Sequence, residues 1–174
     1  MEFLNPEQVL NQLELSESML AADFGCGAGG WAIPLAKKLR TGKVYAIDIQ
    51  EEALSALRTK IDTARLNNLK LIRADLEQGV GSSIQANLLD LVLETNLLFQ
   101  ANDKKKVVEE AKRVLKQGGE LLVVDWKPQA KMGPEGGRIS PSEVEELAKS
   151  LGFVLDREIE AGSHHYGLLF KKPR

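Results

Sequence analysis

The chain has 174 residues, of which 43% are hydrophobic and 28% charged, with a net charge of −2 and a pI near 5.8. That length accommodates one domain with a sizeable core and is too short for a nucleotide domain followed by a substrate domain of ordinary size. The charge balance excludes a generally basic nucleic-acid or lipid-surface binder, no apolar run reaches the roughly 20 residues of a membrane span, and the single cysteine, Cys26, cannot close an internal disulfide.

The opening residues 1–6 lack the basic flank and apolar core of a secretory signal, so the expectation is a single cytoplasmic domain over 1–174. Asn5 before Pro6 predicts a capped helix with Val9, Leu10 and Leu13 on its apolar side, placed beside the sheet edge or over a ligand mouth. Residues 19–24 are apolar except for Asp23, the pattern of a strand covered on both faces. Asp23 reads either as a cap for the next helix or as a carboxylate beneath the following loop, where it fixes loop amides or faces a cation.

Glycines at 25, 27, 29 and 30 then remove Cβ atoms where the backbone must bend or a ligand must approach, just before a helix with unpaired N–H groups. Two registers overlap there. Gly25-x-Gly27-x-x-Gly30 matches a dinucleotide fingerprint, and Asp23-x-Gly25-x-Gly27-x-Gly29 matches a different cofactor loop. Trp31, Leu35, Ala36 and Leu39 give the helix one apolar face, with Pro34 early enough to be tolerated. Residues 44–49 read as a second buried strand, and Asp48 stands 23 residues after Gly25, near the spacing of a ribose-binding acid.

Leu54, Leu57, Ile61 and Ala64 keep helical spacing before a third strand over 69–74, which again ends in an acid, Asp75. Three strands ending in Asp23, Asp48 and Asp75 put these acids on one rim of a parallel sheet, where open α/β folds bind ligands. Residues 79–85 read as a connection. Residues 88–93 form a fourth strand, followed by Glu94-Thr95-Asn96 at the same rim. Lys104, Lys105 and Lys106 point around a helix that begins at Asp103, a solvated face rather than a nucleic-acid stripe.

Val107, Val108, Ala111, Val114 and Leu115 line that helix, and residues 116–119 are expected to terminate it with a basic last turn and glycine. Residues 120–126 form a fifth strand, and the stretch 127–139 is a long loop of the kind that carries function or mobility. Ser140-Pro141-Ser142-Glu143 is a capping box opening a last helix on Val144, Leu147, Ala148 and Leu151. Residues 153–159 and 166–171 are separated by too short a link for a crossover helix, so they pair as an antiparallel hairpin.

On this order the sequence resembles the class I S-adenosylmethionine-dependent methyltransferases, on Asp23-Phe24-Gly25-Cys26-Gly27-Ala28-Gly29, Asp48, Asp75, Leu89-Asp90-Leu91-Val92 and Arg113-Val114-Leu115-Lys116-Gln117-Gly118-Gly119. The last segment is similar to that of the ubiquinone/menaquinone-biosynthesis-type small-molecule branch. The resemblance implies an α/β, Rossmann-like three-layer sandwich whose seven-stranded, mostly parallel sheet has its last strand antiparallel. It also implies S-adenosylmethionine as cofactor, S-adenosylhomocysteine as product and a small-molecule methyl acceptor, with no metal. By the same resemblance Asp48 and Ile49 meet the ribose side, Ala74, Asp75 and Leu76 the adenine, and Gly25, Cys26, Gly27 and Gly29 the methionine part. Asp23, Glu94 and Asn96 lie near its amino group.

An acid beneath the loop disfavours a pyrophosphate and so argues against NAD. An NAD-dependent oxidoreductase and a methyltransferase-fold protein without catalysis remain the rival readings. No catalytic base is assigned. His164 and His165 are candidates, with Asp125 and Glu94 behind them, provided that the last hairpin turns at the cofactor rim. Trp126 and the segment from Gly133-Pro134 through Arg138 that leads into Ser140 are expected to shape the acceptor pocket, with Arg138 available to pair an acidic acceptor. The segment Glu94-Thr95-Asn96-Leu97-Leu98 lacks the Asn-Pro-Pro-Tyr-like pattern of enzymes that methylate adenine or glutamine, and Leu98-Phe99-Gln100 lacks the histidines of many quinone-type enzymes.

Overall fold

In the computed structural model, which describes residues 2–79 and 81–174, the apolar runs become seven strands. They are β1 (Leu20–Phe24), β2 (Lys43–Asp48), β3 (Leu69–Arg73), β4 (Leu89–Thr95), β5 (Leu115–Trp126), β6 (Val154–Ile159) and β7 (His165–Lys171). The helices are α1 (Pro6–Leu10), α2 (Ala32–Lys38), α3 (Glu51–Ala64), α4 (Lys104–Val114) and α5 (Pro141–Ser150), with a short 3₁₀ turn at Leu98–Gln100. One sheet runs β3-β2-β1-β4-β5-β7-β6; the first five strands are mutually parallel, and β7 is antiparallel to both its neighbours.

Alternation along the central strands divides the core into two layers. Phe24, Val92, Val123 and Leu168 face the apolar stripes of α4 and α5, while Ala21, Leu91, Leu122 and Leu169 face α1, α2 and α3. Burial of each such Leu, Val or Phe contributes roughly 1.5–3 kcal/mol. Of the two caps foreseen, Asn5 accepts from the Glu7 and Gln8 amides, and Ser140 and Glu143 complete their reciprocal box.

The end of α4 differs from expectation. Residues 116–119 do not terminate the helix; β5 already begins at Leu115, which pairs with Leu89, and Glu120 resumes pairing at Leu91. Four residues thus oppose Asp90, and the extra length is absorbed as an irregularity in which Gly118 takes φ +80°. The Asp90 carboxylate ties this bulge down, accepting from Lys116 Nζ at 2.9 Å and from the Leu20 amide at 2.8 Å.

The β3–β4 connection is anchored by Glu110 of α4, which accepts from the Ser82 amide and hydroxyl and from Arg113, whose guanidinium also donates to the Ile84 carbonyl. Burial pushes the Glu110 pKa up, but the hydrogen bonds from Arg113 and Ser82 outweigh it and hold it below the usual carboxylate value. The lysine run makes no stripe: Lys104 turns back onto the Ala101 carbonyl, Lys105 pairs with Glu109 and Lys106 with Asp103. Among the described residues no helix is long and apolar enough to cross a membrane.

α1 lies beside the β6–β7 hairpin. The Gln12 side-chain amide bonds both the N–H and the C=O of Glu160, and Glu2 exchanges backbone and side-chain hydrogen bonds with Ser163. Because β7 runs antiparallel to β5 with Trp126 opposite His165, this hairpin turns at the carboxyl ends of the parallel strands, the rim that carries the glycine loop.

Candidate cofactor cleft

Beyond β1, β2 and β3 the rim opens into a cleft of about 310 Å³, lined by Gly25, Gly27, Asp48, Ile49, Ala74, Asp75 and Leu76. All seven are residues singled out from the sequence. The Asp48 carboxylate holds the loop in shape: Oδ2 accepts from the Gly27 amide at 2.9 Å and Oδ1 from the Gln50 amide at 3.0 Å. Each oxygen keeps acceptor capacity for a ligand hydroxyl.

The glycines have separate tasks. Gly27, at φ +51°, faces open space, and a Cβ there would meet nothing within 4 Å. Gly25, at φ +71°, lies against Leu97, and Gly29, at φ +91°, lets the Leu57 side chain of α3 approach to where its own Cβ would stand, 2.3 Å away. Gly29 therefore serves helix packing rather than the cleft. Asp75 Oδ1 caps the next turn by accepting from the Glu77 amide at 2.9 Å.

Asp23, Cys26, Glu94 and Asn96 do not line this cleft. Asp23 is 1% exposed, and neither carboxylate oxygen has a hydrogen-bond partner, so it is Asp48, and not Asp23, that fixes a loop amide. Burial, reinforced by the Asp48 charge, pushes its pKa up to about 8, and the Ala32 N–H offsets part of this from outside hydrogen-bonding geometry. Glu94 repeats the situation: fully buried, unpartnered at both oxygens and raised to about 8 by burial and then by Asp125. Glu94 is the register partner of Phe24, so it projects on the opposite face of the sheet from Asp23.

Asn96 sits at φ +50° with its side-chain oxygen buried and unpartnered. The Cys26 thiol, which touches the Gly27 carbonyl at 3.5 Å, has its pKa raised by burial and then by Asp23 and Asp48, so it is not a nucleophile. Sequence reasoning missed Gln50, Glu77, Leu97, Gln100, Ala101 and Val107, which complete the cleft. Leu97 and Gln100 come from the irregular segment after β4, where neither helical nor strand periodicity singles out a residue.

At the other end of the rim, Asp125 and Trp126 close β5. Asp125 accepts from the Phe99 amide at 3.2 Å and the Trp126 amide at 2.8 Å, and burial raises its pKa. His165 is buried and packs on Trp126, with ring centroids 4.0 Å apart, whereas His164 is half-buried and stacks on Phe3. Arg138 does not face an acceptor. Its guanidinium donates to the carbonyls of Pro134, Lys127, Pro128, Ala130 and Met132 at 2.7–3.2 Å, and so organises the 127–139 loop from within.

Residues 15–163 match the family described as a methyltransferase domain. The chain is similar to the demethylmenaquinone methyltransferases of Oceanobacillus iheyensis, at 27% identity over 73% of this chain and 52% of that protein, and Staphylococcus aureus, at 31% over 68% and 48%. It thus spans about half the length of these curated relatives. The crystal structure of a SAM-dependent methyltransferase from Aquifex aeolicus superimposes with a TM-score of 0.88 at 29% identity, over 98% of this chain and 90% of that one. The chain belongs to the class I S-adenosylmethionine-dependent methyltransferases.

Proposed function

We propose that residues 1–174 form a single catalytic domain that transfers a methyl group from S-adenosylmethionine to a small-molecule acceptor in the cytoplasm. The observation that carries this reading is the cleft in which Asp48 and Asp75 meet across Gly25 and Gly27. Asp48 accepts from the ribose hydroxyls, with Ile49 on the same side; Asp75 accepts from the adenine amino group, with Ala74 and Leu76 against the base. Gly25, Cys26 and Gly27 form the bend around the methionine part, and Gly29 supports that bend by letting the loop pack on Leu57 of α3. Asp23, Glu94 and Asn96, all behind the cleft lining, are the polar groups nearest the ammonium end, with Glu94 on the opposite sheet face from Asp23.

The fit is electrostatic. A buried carboxyl without a partner, as at Asp23, holds its proton to about pH 8 and ionises more readily beside a cationic ligand, whereas a pyrophosphate would oppose that ionisation. When bound, S-adenosylmethionine supplies a methyl carbon already activated by the sulfonium. The protein's contribution is to hold that carbon in line with the acceptor atom and to exclude water, which needs no protein nucleophile. The relatives named demethylmenaquinone methyltransferases support a small acceptor. The quinone itself is not carried over, because Leu98-Phe99-Gln100 stands where many quinone-type enzymes have histidines.

Calorimetry with S-adenosylhomocysteine and NAD tests the reading: the first binds and the second does not, and absence of S-adenosylhomocysteine binding overturns it. Asp48→Ala should weaken S-adenosylhomocysteine at least about tenfold, the equivalent of ~1.4 kcal/mol, through loss of the ribose acceptor and of the Gly27 tether. Circular dichroism should show the fold retained.

A further inference from the structure

Beyond Thr95 the chain leaves the sheet in a sharp bend. The Asn96 amide still donates to the Val124 carbonyl of β5 at 2.8 Å, and Asn96 then takes φ +50°, which turns residues 97–101 along the rim. Leu97, Gln100 and Ala101 of that segment line the cofactor cleft, and Leu97 packs on Gly25. The 3₁₀ turn within it, Leu98–Gln100, is too short to hold itself, because the N–H groups of its first residues have no partner inside it. Gln100 supplies one tie, its side-chain amide donating to the Asn96 carbonyl at 2.8 Å.

Asp125 supplies another. It follows Val124 on β5, is fully enclosed, and does not line the cleft. Its Oδ2 accepts from the Phe99 amide inside the 3₁₀ turn, at 3.2 Å, while Oδ1 accepts from the adjacent Trp126 amide at 2.8 Å. Both oxygens are thus acceptors of main-chain N–H groups, the arrangement that suits an ionised carboxylate. Burial raises the Asp125 pKa, and the N–H groups of Trp126, Phe99 and Leu98, followed by the Lys104 charge, draw it back. A carboxylate so engaged is poorly placed to take a proton from a methyl acceptor.

We propose that Asp125 is a positioning residue for the cofactor: it anchors the 3₁₀ turn from β5 and, through Phe99, fixes Leu97, Gln100 and Ala101 as the wall against which S-adenosylmethionine is held. The role rests on the methyl-transfer reading above. Without the carboxylate the turn loses its tie to the sheet, and the wall gains positions that a ligand must exclude in order to bind. A wall that keeps its binding position about one tenth of the time lowers the apparent affinity about tenfold.

The test titrates S-adenosylhomocysteine into three variants by calorimetry. Asp125→Ala should bind about tenfold more weakly than the parent, and Asp125→Asn, which keeps a carbonyl oxygen for the Phe99 amide, within about threefold of it. Leu10→Ala, which opens a cavity on the other face of the sheet, should lower the melting temperature and leave the affinity unchanged, so that loss of stability alone does not mimic the effect. In the unsubstituted protein the Phe99 amide proton should exchange more slowly once S-adenosylhomocysteine is bound, which decides the matter even if the variants unfold. Unchanged affinity in Asp125→Ala, an Asn variant no better than the Ala variant, or a Phe99 amide indifferent to the ligand overturns the positioning role, while S-adenosylhomocysteine binding to the parent leaves the methyl-transfer reading standing. Failure of S-adenosylhomocysteine to bind the parent overturns both.

Discussion

Asp23 and Glu94 each enclose a carboxyl group that the protein leaves without a hydrogen bond, and both titrate near pH 8 instead of near 4. Between those values the unfolded chain has lost the protons that the folded chain retains, so the stability of the ligand-free protein falls as pH rises from about 4 to about 8 and levels off above. Glu94→Gln keeps the shape and removes the titration. It should raise the melting temperature of ligand-free protein at pH 8, by roughly 2–4 °C for each kcal/mol recovered, and flatten its pH dependence. A melting temperature lower than that of the parent at pH 8 contradicts the unpaired-acid picture. Asp23→Asn should stabilise in the same way yet weaken S-adenosylhomocysteine, because the amide cannot ionise when the ammonium arrives. His165 acts in the opposite direction: with its folded pKa near 4, it takes stability away as pH falls from about 6.5 to about 4.

At the scale of the element, the 127–139 loop is set by a single side chain. Guanidinium donors in a fixed fork meet five carbonyls of the loop, a pattern that the three donors of an ammonium cannot reproduce. Arg138→Lys should therefore accelerate limited proteolysis within 127–139 several-fold, leave S-adenosylhomocysteine affinity within about twofold, and shift the melting temperature little. The sequence presents Arg138 as a free cation because its partners are main-chain carbonyls, which have no letter in the sequence. The same blindness explains residues 116–119, which carry a helix-stop composition but are the bulged start of β5; Asp90, the residue that pins them, lies on another strand. The caps at Asn5 and Ser140 were legible because both partners of each are a few residues away. So were Asp48 and Asp75, since a parallel sheet gathers the strand ends at one rim and turns position in the chain into proximity.

For the whole molecule, ligand and fold stabilise one another. S-adenosylhomocysteine at 100 times its dissociation constant should add about 2.7 kcal/mol, a rise of roughly 5–10 °C in melting temperature, since it ties β1, β2 and β3 together through the loop and the two acids. Differential scanning fluorimetry reads this directly, and an absent shift contradicts the cleft assignment. The insertion of β7 between β5 and β6 has a further consequence, for the nascent chain. β5, complete at Trp126, must keep one edge unpaired until residues 165–171 leave the ribosome, and that edge belongs to a strand whose Leu121, Leu122, Val123 and Val124 are fully enclosed in the finished protein. A truncation ending before residue 165 leaves that edge as a template for other chains, and such a fragment should aggregate even though every element of the cofactor cleft is already present in it.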